Sequence, residues 1–210
     1  MTTPSPGEAG MRTDLRPATA VVAGLVRGVR DDQLTAPTPC GPLTVGELLD
    51  HLAGLSEAFH DAAAKTVRAD GGGARVPDAT RLDRDWRESL PARLAALAEA
   101  WQPAGAWTGT ATVGGGEMPA EVAGAAAIDE VLVHGWDLAV ATGQRFPGDL
   151  PALAPAIGSA TAWVRTVAEA HPDGLPGLFG PPVAASAATP MERLLTLTGR
   201  APSWTPPPAA

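Results

Sequence analysis

The sequence predicts an all-α protein in which four long helices form a bundle, followed by a short extended segment and one more helix. Two observations carry this prediction. Between residues 13 and 172, five stretches repeat apolar residues at spacings of three and four, the period of an amphipathic helix. Thr44 and Thr189 each stand three residues before a glutamate, and this capping-box spacing marks the start of a helix.

Capping residues and prolines locate the individual elements. Pro91 interrupts the apolar pattern of the third helix, so we expect a kink there or a restart capped by Ser89. Residues 102–118 predict a loop or a weak hairpin. The expected helix starts, in chain order, are Thr13 or Asp14, Thr44, Thr80 or Asp83, Pro119, Asp149 and Thr189.

The length of 210 residues suits one domain with short additions. We expect a disordered N-terminus over residues 1–12 and a helical bundle over 13–172. An extension over 173–204 should pack on the bundle, and residues 205–210 should form a loose tail.

Composition and charge narrow the function classes. With 45% hydrophobic and 18% charged residues the chain is typical of a globular protein, and no apolar run approaches the roughly 18 residues of a membrane span. The N-terminus shows no basic region followed by an apolar core, so we expect no secretory signal. A net charge of −8 without a cluster of Arg or Lys argues against a nucleic-acid partner.

The single Cys40 excludes an internal disulfide and a multi-cysteine zinc site, and it fits a reducing cytosol. We therefore expect a cytoplasmic protein with neither a membrane nor a nucleic acid as partner. The sequence leaves a monomer and a homodimer both open.

The fourth predicted helix carries the strongest chemical signal. Glu130 and His134 are four residues apart, so their side chains leave the same face of the helix, and Asp137 continues that face one turn further. The neighbouring residues are apolar, and a buried glutamate is costly unless it is paired or bound to a cation. Glu130 and His134 are therefore candidate ligands of one metal ion. The alternative is a hydrogen-bonded Glu–His pair without a metal.

A third candidate ligand, His51, falls among the leucines of the second predicted helix and should point toward the core. A set of two histidines and one glutamate leaves coordination positions open, which is typical of a catalytic rather than a structural metal site. Such ligands fit Zn²⁺ best, with Ni²⁺ and Fe²⁺ as alternatives. Asp137 would orient a ligand or a bound water from outside the coordination sphere. The alternative for His51 is an unrelated core histidine.

Several motifs connect the chain to a known family. It contains L-L-D-H-L-A around His51, D-E-V-L-V-H-G-W-D-L-A around His134, T-P-C at 38–40, F-G-P-P-V at 179–183 and G-R-A-P-S-W at 199–204. With these motifs the chain resembles the mycothiol-dependent maleylpyruvate isomerase family of the DinB-like superfamily, and in particular its uncharacterised actinobacterial members. The resemblance implies a DinB-like four-helix bundle. It also implies that His51, Glu130 and His134 are the metal ligands.

Two departures from the family pattern bear on function. Many relatives carry a tryptophan shortly after the T-P-C cysteine, where this chain has Leu43. The isomerases carry a separate C-terminal domain, where this chain has a short helix and a tail. The resemblance therefore does not carry maleylpyruvate isomerisation itself over to this chain.

The resemblance implies thiol chemistry. The metal would bind a low-molecular-weight thiol, with mycothiol as co-substrate, and lower its pKa, so that the thiolate attacks a small electrophile. The outcome would be S-transfer, or isomerisation if the thiolate later leaves. Cys40 could act as a nucleophile of its own, but a structural role in its turn is the favoured reading.

Two other function classes stay open. One is a metal-dependent hydrolase with Asp137 as candidate base, and activity without added thiol would distinguish it. The other is a non-catalytic binding or interaction protein of the same fold, which metal-free protein of unchanged stability would support.

Overall fold

Six α-helices and one β-hairpin form the framework of the computed structural model, which describes residues 12–67, 75–175 and 178–207. In chain order they are α1 Arg16–Gly28, α2 Val45–Ala63, α3 Trp86–Ala100, the strands β1 Thr110–Val113 and β2 Gly116–Pro119, α4 Ala120–Ala141, α5 Ala154–Ala170 and α6 Pro190–Leu197. The predicted all-α, DinB-like bundle is confirmed, and in the described ranges the hairpin is its one sheet.

Helix α4 is the centre of the bundle. It packs against α1, α2 and α5, and it is buried on nearly every side. Such a central helix carries apolar residues on almost all of its faces, because very little of its surface is in contact with water. Helix α3 closes the opposite side by packing on α1 and α2, and α6 covers α5. Three polar residues of α4, Asp129, His134 and Asp137, are therefore buried inside the protein.

Both predicted capping boxes are confirmed. Ahead of α2, the Glu47 carboxylate accepts a hydrogen bond from the Thr44 backbone N–H at 2.8 Å, while the Thr44 hydroxyl accepts from the Glu47 N–H. Ahead of α6, Thr189 and Glu192 make the same reciprocal pair. Each box satisfies backbone donors that the first turn of a helix leaves unpaired.

Three predicted helix starts are wrong. Leu15 precedes the first turn of α1, where the sequence predicted Thr13 or Asp14 as the cap. Helix α3 starts at Trp86, after a separate 3₁₀ turn at Ala79–Arg81, and it continues through Pro91 without the restart predicted at Ser89. A proline forgoes one backbone hydrogen bond, and burial of the leucines around it outweighs that loss.

Helix α5 starts at Ala154, not at Asp149. The Asp149 carboxylate pairs with Arg145 at 2.9 Å, and a 3₁₀ turn at Pro151–Leu153 leads into the helix instead.

The stretch predicted as a loop or weak hairpin contains a regular hairpin. Gly114 and Gly115 connect β1 to β2 with φ angles of 61° and 82°. Two consecutive positive φ angles are typical of the two-residue turn that matches the twist of a hairpin, and glycine adopts them without strain. Strand β2 ends at Pro119 and α4 begins at the next residue, so the hairpin fixes the position of the first turn of the central helix.

The proposed division at residues 172 and 173 remains a prediction. Residues 1–11 of the N-terminus predicted as disordered lie outside the described part of the chain, as do residues 208–210 of the tail. Across the described residues, no helix combines the length and the apolar character needed to span a bilayer.

Gly135 sets the distance between α4 and α1. A Cβ at this position would lie 2.5 Å from Cγ2 of Val22. We therefore expect Gly135→Ala to destabilise the protein by about 1–3 kcal/mol through overpacking, measured by urea unfolding. Gly158 in α5 is the matched control, because no atom lies within 4 Å of its added Cβ. Gly158→Ala should leave stability unchanged or raise it by up to about 1 kcal/mol. Equal stability of the two variants would contradict the close approach.

Candidate metal centre

Helices α2 and α4 bring the three predicted ligands together. One ligand atom from each of His51, Glu130 and His134 lies within 4.8 Å of the others. Nε2 of His134 is 2.9 Å from Oε2 of Glu130, and the rings of His51 and His134 meet edge to face with centroids 4.8 Å apart. The proximity that the sequence implied therefore exists, while their role as metal ligands stays a prediction.

Helical spacing accounts for the part of this cluster on α4. Glu130 and His134 are one turn apart, and Asp137 follows within the next turn on the same face. His134 is 5% exposed, whereas His51 and Glu130 are partly exposed. The cluster is therefore closed on the Asp137 side and accessible to solvent beside His51 and Glu130.

Asp137 holds the second nitrogen of His134. Its Oδ2 lies 3.1 Å from Nδ1 of His134 and also 3.1 Å from Nη2 of Arg200. Asp137 is fully buried, and Arg200 is 8% exposed. A continuous polar chain therefore runs from Glu130 through His134 and Asp137 to Arg200. Asp137 thus contacts one of the three predicted ligands, and its role in orienting that ligand or in catalysis remains a prediction.

Cys40 and Arg200 also lie at the cluster, although the sequence predicted neither of them as part of a metal site. Nη2 of Arg200 lies 3.5 Å from Sγ of Cys40, and Cys40 forms a second close group with His134 and Asp137. Cys40 lies in the loop before α2, where the sequence favoured a structural role. Arg200 was visible only as part of the G-R-A-P-S-W motif. T-P-C and G-R-A-P-S-W, two of the five motifs that carried the resemblance, therefore meet at the cluster.

The charges of the cluster follow from burial and from hydrogen bonds. Burial disfavours a charge on His134, but hydrogen bonds to Asp137, Cys40 and Glu130 outweigh it and raise the pKa of the imidazole well above its ordinary value. Burial likewise opposes ionisation of Glu130, yet the hydrogen bond from His134 lowers the pKa of its carboxyl. Without a metal, these two residues therefore form a buried imidazolium–carboxylate pair.

His51 behaves differently. Burial, followed by the nearby charge of His134, lowers the pKa of His51 to about 4. Its imidazole is therefore neutral at physiological pH and has a lone pair available, which is the form that binds a metal.

Unpaired polar atoms surround the same cluster. In the described ranges, the buried side-chain atoms without a hydrogen-bond partner are Oδ1 of Asp129, Oδ1 of Asp137 and Nε of Arg200. Burial and then the neighbouring Glu130 raise the pKa of Asp129 well above its ordinary value, which favours the neutral form of this carboxyl. Unsatisfied buried groups are rare in proteins, and their concentration at one place is typical of a functional site.

The donor set fits a divalent cation. Two imidazoles and one carboxylate are ligands that zinc accepts, and they leave coordination positions for a substrate. With both histidines neutral, the carboxylates of Glu130 and Asp137 exceed the charge of Arg200 by one negative unit. A divalent cation bound beside Glu130 would offset that charge, leaving one positive unit, and would take the place of the proton on Nε2 of His134.

The helical bundle is consistent with the DinB-like fold that the motifs implied. A family model described as the mycothiol maleylpyruvate isomerase N-terminal domain matches residues 15–139. This range covers more than half of the chain, and the protein belongs to that family, as its motifs predicted.

The relatives of this chain add little about its activity. Two uncharacterised proteins of Mycobacterium tuberculosis, from strains CDC 1551 / Oshkosh and ATCC 25618 / H37Rv, are each 34% identical over 122 residues. The match covers 58% of this chain and 62% of each relative. No solved structure matches the chain.

The buried ion pair of Asp137 and Arg200 should be far more important for stability than an exposed pair. Asp137→Ala leaves a buried guanidinium without its carboxylate, so we expect a loss of about 3–5 kcal/mol in the free energy of unfolding of the metal-free protein. Asp149→Ala removes the exposed partner of Arg145 and should change stability by less than about 0.5 kcal/mol. Urea unfolding of both variants measures the difference, and similar losses would contradict a tightly bonded cluster.

Proposed function

We propose that the protein is a metal-dependent enzyme that uses a low-molecular-weight thiol, such as mycothiol, in S-transfer to a small electrophile or in its isomerisation. The observation that carries the proposal is the convergence of His51, Glu130 and His134 in a member of a family named for a mycothiol-dependent isomerase. A cytoplasmic location and a monomeric or homodimeric state belong to the same proposal.

His51, Glu130 and His134 would hold the metal, with Zn²⁺ favoured by the ligand types and Ni²⁺ and Fe²⁺ as alternatives. A bound divalent metal would supply Lewis acidity that lowers the pKa of a coordinated thiol. His51 is neutral at physiological pH and so needs to lose no proton in order to bind.

Asp137 would orient the centre. It accepts the hydrogen bond from Nδ1 of His134, which leaves Nε2 to face Glu130 and the metal. Thiol and electrophile would approach past His51 and Glu130, the two partly exposed members of the cluster. The closed Asp137 side keeps water away from the opposite edge of the His134 ring.

The burial of Asp137 bears on the competing hydrolase function. Its carboxylate is fully buried and bonded to His134 and Arg200, so it is badly situated to take a proton from an attacking water. This observation favours thiol chemistry over hydrolysis with Asp137 as base. A non-catalytic binding protein with the same metal site is the remaining alternative.

Metal content tests the centre. Protein purified without a histidine tag should contain close to one equivalent of metal per chain, and His134→Ala should lose it, because one ligand and the contact to Glu130 disappear together. His60→Ala is the matched control, since His60 lies on α2 near His51 but outside the cluster. It should retain the metal. Wild-type protein that neither contains nor takes up zinc, nickel or iron would overturn the proposal.

Activity assays separate the function classes. Metal-loaded protein should accelerate conjugation or cis–trans isomerisation of a small electrophile only when mycothiol is present, and removal of the metal by a chelator should abolish this effect. Turnover of ester or amide substrates without thiol would favour the hydrolase. A loaded protein that binds thiol without turnover of any electrophile would favour the non-catalytic alternative.

A further inference from the structure

Arg200 reaches the cluster from outside the part of the chain that matches the family model. The match ends at residue 139, whereas Arg200 follows α6. Its guanidinium donates to Oδ2 of Asp137 at 3.1 Å, to the backbone oxygen of Thr198 at 2.9 Å and to Sγ of Cys40 at 3.5 Å. A long cationic side chain that is 8% exposed and has these partners is part of the interior.

The end of α6 holds Arg200 in place. Gly199 adopts a φ of 80°, the Arg200 N–H donates to the oxygen of Leu195 at 2.8 Å, and the Gly199 N–H donates to that of Thr196 at 3.3 Å. This pair of bonds around a left-handed glycine is the Schellman arrangement that ends many helices. The direction in which the Arg200 side chain leaves the backbone is therefore set by the helix end, and it points toward α4.

The contact to Asp137 has a consequence for His134. One oxygen, Oδ2, accepts from both the imidazole Nδ1 and the guanidinium, while the other oxygen has no partner. Arg200 is therefore the group that keeps Oδ2 directed at the ring. A carboxylate held in this way keeps a proton on Nδ1 of His134 and leaves Nε2 with its lone pair for a metal.

We propose that Arg200 is a positioning residue of the metal centre, which acts through Asp137 to orient His134. The segment after α6 then contributes to the metal centre, because it supplies the side chain that orients His134 through Asp137. This inference rests on the proposed metal centre of His51, Glu130 and His134, and it concerns a residue that touches neither metal nor substrate.

The first test is zinc affinity of the untagged full chain, measured by competition with a chromophoric chelator at constant pH. Arg200→Met keeps most of the side-chain volume and removes the donors, so we expect a 10–100-fold loss of affinity. Arg200→Lys keeps the charge but places its donors on a single nitrogen, so its affinity should lie between those of Arg200→Met and the wild type. Arg193→Met removes an exposed guanidinium from α6 and should leave affinity unchanged.

A double-mutant cycle tests the route through Asp137. In an Asp137→Asn background, Arg200→Met should change zinc affinity by less than about twofold, because the group through which it acts has already been altered. The double variant also lacks both buried charges, so it stays informative if Arg200→Met alone folds poorly. An undiminished effect of Arg200→Met in that background would overturn the inference.

A spectroscopic readout separates positioning from support of the fold. In the zinc-loaded wild type, the Nδ1 proton of His134 should give a slowly exchanging NMR signal, because it is buried and hydrogen-bonded. In Arg200→Met with native-like circular dichroism, that signal should broaden or disappear. An unchanged signal and unchanged zinc affinity would overturn the role of Arg200 and leave the proposed function intact. Wild-type protein that binds no metal would overturn both.

Discussion

The burial of His134 between two carboxylates is the constraint on which the rest of the site depends. A histidine and two acids on one face of a core helix would be costly to bury singly, and they are tolerated because each is hydrogen-bonded to the next. Because α4 is covered on nearly every side, the elements around it must supply the remaining partners. α2 contributes His51, and the segment after α6 contributes Arg200.

This arrangement links the charge balance of the core to the chemistry proposed for it. Without a metal, a proton on His134 balances the negative charge of Glu130. A cation at the same place would replace that proton. The cluster would therefore hold a positive charge beside Glu130 both without and with a metal. Oδ1 of Asp129 and Oδ1 of Asp137 stay unpaired beside it, and a core selected for stability alone would not be expected to retain them.

The cluster also joins parts of the chain that are far apart in sequence. Cys40 precedes α2, Asp137 belongs to α4, and Arg200 follows α6, yet their side chains meet at one guanidinium. The domain shared with the family supplies the ligand candidates, while the segment beyond it supplies the cation that holds Asp137.

The sequence by itself determined the helical class, the capping boxes and the common face of Glu130, His134 and Asp137, because helical periodicity and capping are local properties. It also directed His51 toward the core. Only the tertiary structure decided that Cys40 and Arg200, 160 positions apart, are in contact. It likewise decided that α3 continues through Pro91. Both outcomes depend on how the helices pack against one another. Packing brings distant segments into contact and buries the leucines that offset a helix-breaking proline, and the spacing of residues along the chain does not show it directly.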